Sequence, residues 1–201
     1  MFSPVDLDLE RGWPGRIDGD RVTQLAAQTL QSFFTGGGGA REHAEYPLDG
    51  VVLRPPVLHP PSVRIFDEDG DFRFATPAAI HGPEDTVRLP DGVDEIRPVL
   101  RVAAVIGADG AVGGHTLMND WVAPALAGAK AHDFAISLGP VVITDVVDDW
   151  GDLVAYAARN TRLLPGDVIA APGELQDAVG AGDIVELSLP PFGVLRNPVA
   201  R

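Results

Sequence analysis

Apolar positions Val22, Leu25, Leu30 and Phe33/Phe34 recur at roughly helical spacing, which predicts an amphipathic helix over 21–34. A short strand or turn precedes it at the Asp18-Gly19 turn signal. The glycines at 36–39 end the helix, because glycine disfavours its continuation, and 36–46 reads as a linker. Over 47–62 the chain carries Pro47, Pro55, Pro56, Pro60 and Pro61, which lack the N–H a sheet ladder needs. That stretch is expected to be extended and edge-like. From residue 62 the rhythm becomes that of strands. "SVRIF" is a short strand, "DEDGD" (67–71) an acidic turn, and "FRFATP" alternates Phe72 with Phe74. "RVAAVIG" (101–107) is a continuous apolar strand that ends at the turn "ADGAVGG". "DFAISLGPVVIT" predicts two strands split at Gly139-Pro140. In "DDWGDLVAYAARN" (148–160), Leu153, Tyr156 and Ala157 share one face of a predicted helix. "LLPGDVIAAPG" and "AGDIVELSLPPFGVLRN" close the chain as two β segments punctuated by Pro and Gly. The predicted class is α+β, mostly β, with a small N-terminal α/β segment (1–46) before a β domain (47–201).

Composition narrows the picture. Apolar residues make up 45% of 201 positions, enough to bury a core. A net charge of −14 repels phosphate backbones and acidic membrane surfaces, so neither nucleic acid nor membrane is an expected partner. Without cysteine there is no disulfide framework and no thiolate nucleophile. No apolar run is long enough to span a bilayer, and "MFSPVDLDLERGW" lacks the regions of a signal peptide, so a cytoplasmic protein is expected. Lys130 is the sole lysine; the other cations among the Lys+Arg total of 15 are arginines.

The blocks "PPSVRIF", "PAAIHGPEDTVRLP", "RVAAVIGADG", "GHTLMNDW", "KAHDFAISLGP", "LLPGDVI" and "AGDIVELSLPPFGVLRN" run in the order found in the fumarylacetoacetate hydrolase family, which the chain resembles over most of its length. "GRIDGDRVTQLAAQTL" resembles the small leading domain of many bacterial members. The resemblance implies a mixed β-roll of packed sheets around a shallow mouth, a homodimer, and a small-molecule substrate among oxo-acids and diketones. It also implies Mg²⁺ or a similar ion, held by carboxylates to stabilise the oxygen on which enolate charge develops.

The chain departs from that pattern where the ion should bind. The family's Glu-x-Glu falls at Val99 and Arg101, and neither supplies an oxygen donor. Asp120 matches the metal-binding Asp, and Lys130 aligns with the active-site lysine. Pro124 and Ala127 stand where the family places a substrate-facing Arg and Gln. The mobile segment with its water-activating His and Glu is shortened to "IFDEDGDF". His43 and Glu45 lie upstream of its place.

Two readings follow. In one, the site works without a metal or other cofactor. Arg101 supplies a fixed guanidinium held by Asp120, Lys130 completes a positive pocket, and His115 or His132 moves protons. Trp121, Asn119 and His81 are the candidate substrate contacts. In an extended segment Lys130 and His132 would share a side. Isomerase, cyclase or lyase chemistry on an oxo-acid, enol or polyketide-like substrate then fits better than hydrolysis. In the other reading Arg101 only neutralises Asp120 as a buried ion pair. The chain is then a non-catalytic binding or partner protein, paired with itself or with an intact relative. A residual C–C hydrolase or decarboxylase with an unusual metal site is a third alternative. The acidic turn 67–71 lacks the spaced ligand set of a calcium loop and reads as solvated.

Overall fold

The Asp18-Gly19 turn brings strand Gly15–Asp18 back against Arg21–Leu25, with Gly19 in the left-handed region at φ 58°. In this computed structural model, which describes residues 1–7, 9, 11–145 and 149–201, the hairpin gains a third strand, Glu42–Pro47. The helix expected over 21–34 is therefore only Leu30–Thr35, and its first half is a strand. Two chemical features set that boundary. The turn pairs Val22 with Ile17. Thr29 then caps the helix, its hydroxyl accepting from the Ser32 N–H while Ser32 Oγ accepts from the Thr29 N–H. The linker expected at 36–46 also holds a strand. "EHAEYP" was unreadable as one because it lies exposed at the edge of its sheet and carries no apolar alternation.

The expected boundary after residue 46 falls inside this strand. Strand Phe2–Pro4 pairs onward with Val51–Leu53, and the rings of Phe2, Trp13 and Tyr46 meet at centroid distances of 5.5–6.3 Å. Phe34 from the short helix packs into the main core with Val63, Val105 and Met118. The N-terminal segment thus joins the rest of the chain through the strand pairing and through Leu30, Phe33 and Phe34 packed on the main cluster.

An eight-stranded mixed sheet forms the body. Its order is Phe72–Ala75, Val63–Phe66, Val168–Ala170, Val99–Ile106, Val112–Asp120, Ile136–Ile143 and Ile80–His81, with Glu174–Leu175 also pairing to Val99–Ile106. The predicted apolar strand begins two residues early, at Val99. The two strands expected around Gly139-Pro140 are one, Ile136–Ile143, which runs through a cis Gly139-Pro140 bond. The ladder to the neighbouring strand shifts register between His115 and Leu117.

Register assigns each side chain a face. Arg101 lies opposite Met118 in the antiparallel pair, so Arg101, Ala103 and Val105 share a face with Met118 and Asp120. That inner face carries the cluster of Val63, Ile65, Ala103, Met118, Ile136, Leu138 and Ala170. The outer face carries His115, Leu117 and Asn119 with Val102, Ala104 and Ile106. Helix Gly151–Ala158 lies on that face, with Leu153, Tyr156 and Ala157 against Phe66, Ala104 and Ile169. This is the helix expected over 148–160, although position 148 lies outside the described residues. A three-stranded sheet of Ile184–Ser188, Val194–Ala200 and Val87–Arg88 adds Val185, Leu187 and Val199 to a second cluster around Trp121 and Ile96. Among the described residues no helix is long and apolar enough to cross a membrane.

Candidate active site

Asp120 ends its strand fully buried on the inner face. An isolated buried carboxylate is costly, so its partners decide what the site is. There are two. Arg73 NH2 lies 2.5 Å from Oδ1, and Arg101 approaches Oδ2 with Nε at 3.2 Å and NH2 at 3.1 Å. Both arrive from the sheet. Arg101 is the diagonal cross-strand neighbour of Asp120. Arg73 lies opposite Ile65 on the edge strand and so shares the inner face.

Arg101 is fully engaged. Its NH1 donates to the carbonyls of Phe66 at 2.7 Å and Ala171 at 3.1 Å, and its NH2 also reaches Asp67 at 3.4 Å. The guanidinium therefore ties together the ends of two parallel strands, Val63–Phe66 and Val168–Ala170, and holds Asp120 from one side. Its stem runs close over Gly173, where an added Cβ would lie 2.3 Å from Arg101 Cγ. Arg73 has more freedom. Its side chain is 25% exposed, and among the described residues only Asp120 accepts from it.

His132 follows the 3-10 turn Gly128–Ala131 and is half-buried. Burial lowers its pKa below the ordinary imidazole value, and the Arg73 guanidinium pushes the same way, against the opposing pull of Asp120 and Asp67. Its Nδ1 is buried without a hydrogen-bond partner among the described residues. The neutral ring thus stands in the field of the Arg73–Asp120–Arg101 cluster.

The remaining expected site residues lie elsewhere. Lys130 is 78% exposed on the 3-10 turn and pairs with Asp133 at 2.8 Å. Because 128–131 is a turn and not a strand, Lys130 and His132 do not share a strand face. His115 sits on the outer face against Trp150, at 5.2 Å between ring centroids, with the sheet between it and Asp120. Asn119 points to the outer face too, because neighbours in a strand alternate, and accepts from the Val99 N–H at 3.1 Å. Trp121 is fully buried in an apolar cluster and donates to Ser137 Oγ at 3.0 Å. His81 Nδ1 contacts the Ala79 carbonyl at 2.9 Å. His43 and Glu45 lie on the exposed N-terminal strand, where Glu45 pairs with Arg21 at 2.9 Å.

Sequence reasoning missed Arg73. A signal for it exists in "FRFA": phenylalanines at 72 and 74 take one face, so the arginine between them must take the other.

The donor set does not suit a divalent ion. Mg²⁺ requires several oxygen ligands, and both oxygens of Asp120 are taken by guanidinium groups. Among the described residues no group of three or more His, Asp or Glu side chains is placed to hold a metal.

The architecture defines a class, an FAH-like β fold, here with a buried carboxylate clamped by two arginines on its inner face. No family model and no curated protein matches the sequence. The fold itself matches solved structures of the fumarylacetoacetate hydrolase superfamily. A 5-carboxymethyl-2-hydroxymuconate delta-isomerase from Mycobacterium smegmatis is 24% identical, with a TM-score of 0.76 and 94% of each chain covered. Maleylpyruvate hydrolase from Sphingobium sp. SYK-6 is 22% identical, with a TM-score of 0.81 over 95% of this chain and 97% of its own. That hydrolase has also been solved in complex with manganese(II) ion and pyruvate. A 2-hydroxyhepta-2,4-diene-1,7-dioate isomerase from Mycobacterium marinum is 22% identical, with a TM-score of 0.76 over 94% and 93%. At these identities the likeness establishes the fold.

Proposed function

We propose that this chain acts without the superfamily's metal on a small oxo-acid or enol, in isomerase-type proton transfer. The observation that carries the reading is the Arg73–Asp120–Arg101 clamp. Arg101 is a strut. With its donors on Asp120, Asp67 and two carbonyls, it holds the Asp120 carboxylate in place. Arg73 is the working cation. One edge rests on Asp120, and its remaining N–H groups are left to hold a substrate carboxylate or the oxygen that becomes an enolate. Neutral His132 is the base: it takes a proton from the carbon next to the oxo group, the electron pair moves onto the oxygen, and the proton returns at another carbon. Lyase and cyclase chemistry would share the first of these steps. Homodimerisation, or pairing with an intact relative, in a cytoplasmic setting is proposed alongside.

The test is turnover of 2-hydroxyhepta-2,4-diene-1,7-dioate, the dienol in the name of one structural neighbour, followed by loss of its absorbance with EDTA present. Turnover is expected to survive EDTA. Arg73→Met should lower it by about a hundredfold or more, the scale of losing an oxyanion donor. Lys130→Ala should leave it unchanged. Turnover that depends on added Mg²⁺ or Mn²⁺ would overturn the reading. The saturation of Arg101 and the exposure of Lys130 favour one alternative, a non-catalytic binding protein. In that case the dienol binds without changing.

A further inference from the structure

A second concavity lies on the outer side of the sheet, between edge strand Phe72–Ala75 and helix Gly151–Ala158. It is an open cleft of about 400 Å³ whose lining includes Arg64, Asp71, Phe72, Phe74, Tyr156 and Arg159. Register separates it from the clamp: Arg64 pairs with Phe74 and Phe66 with Phe72 on this face, whereas Arg73 takes the other. The walls are aromatic. Phe72 and Phe74 meet edge to face at 5.3 Å, and Tyr156 stands edge-on to Phe72 at 5.9 Å. Phe74 is nonetheless 67% exposed, an unusual setting for a phenylalanine in a position this well framed.

Two guanidinium groups accompany the rings. Arg64 is almost fully buried, with its Cζ 5.8 Å from the Phe72 ring centre and 5.4 Å from that of Phe74. Its NH1 is held by Ser62 at 2.5 Å and faces Asp167 at 3.6 Å. Its Nε is buried with no acceptor among the described residues. A buried donor left unpaired costs about 1–3 kcal/mol, and a ligand acceptor would remove that cost. Arg159 lies over Tyr156, 4.9 Å from the ring centre, with no carboxylate partner among the described residues. Asp71 is already engaged by the Tyr156 hydroxyl at 3.2 Å and the Phe72 N–H at 2.8 Å.

We infer that this cleft is a binding site for a planar aromatic carboxylate, whose ring stacks on Phe74 and whose carboxylate is held by Arg159 and Arg64. Aromatic walls alone would accept any apolar molecule. The pairing of rings with an unpaired buried Arg donor and an uncommitted Arg159 selects an anionic, flat one. Asn160, at φ 61°, turns the chain away from the helix end beside the cleft, a backbone region that asparagine tolerates better than most residues. The site is independent of the proposed chemistry on the inner face.

The experiment is calorimetric titration of the full chain with 4-hydroxybenzoate, and with cyclohexanecarboxylate as a flatness control. Wild type should bind 4-hydroxybenzoate and bind the saturated acid about tenfold more weakly. Phe74→Ser and Arg159→Ala, both changes at exposed positions, should each weaken binding about tenfold, the usual scale of a hot-spot contact. Arg73→Met, on the opposite face, should bind like wild type. Equal affinity for the two acids, binding unaltered by Phe74→Ser and Arg159→Ala, binding lost in Arg73→Met, or no heat at millimolar ligand would each overturn the site.

Discussion

Asp120 shows how one residue sets the terms for its neighbours. It is buried between two arginines, so removing it leaves Arg101 charged and almost wholly enclosed. Asp120→Ala is expected to destabilise the fold by about 3–5 kcal/mol in urea denaturation, the scale for breaking a buried pair from one side. Replacing Asp120 and Arg101 together by Leu and Met should recover much of that loss, because the enclosed guanidinium goes with its carboxylate and the charge left behind, Arg73, is partly exposed to water. If the double variant is no better than Asp120→Ala, the pair is not the dominant coupling. Lys130 makes the opposite point. It is the sole lysine and matches a family active-site position, yet among the described residues its ammonium pairs only with Asp133, at the surface. Sequence placed Arg101 against Asp120 because both fall at family positions. It was silent on Arg73, whose role depends on an edge strand meeting a distant one.

At the scale of elements, the site is a consequence of register. A one-residue slip between Val99–Ile106 and Val112–Asp120 would send Arg101 or Asp120 to the outer face, and the clamp would not form. Gly173 guards this arrangement, because any side chain there meets Arg101 Cγ at 2.3 Å and the Leu100 carbonyl at 2.5 Å. Gly173→Ala should therefore cost about 1–3 kcal/mol by overpacking, read as a lower thermal midpoint. A midpoint equal to wild type would show that Arg101 can shift freely. The apolar strands were legible in sequence because buried strands of this sheet are nearly continuous hydrophobic runs. Glu42–Pro47 was not, because an exposed edge strand carries no such run. The helix over 21–34 was over-extended because Val22 and Leu25 match helical spacing while pairing in a sheet.

For the whole molecule, pH enters through His132. Its folded pKa is lowered from 6.5, so the native state prefers the neutral ring. As pH falls below 6.5, the unfolded chain takes up the proton first and stability declines, levelling once the lowered native value is passed. Above 6.5 this group contributes no slope. His132→Asn should flatten that acid limb in urea denaturation followed against pH. An unchanged limb would assign it to other groups.

The sequence by itself determined the mostly β class, the order of the main strands and the net charge of −14. These follow from local periodicity and residue identity, which neighbours in space do not alter. Only the tertiary structure decided which cations meet Asp120 and which face each histidine takes. Those contacts join residues far apart in the chain, such as Arg73 and Asp120, and depend on strand pairing and register. Lys130 lost its expected place for the same reason: a 3-10 turn points it to solvent.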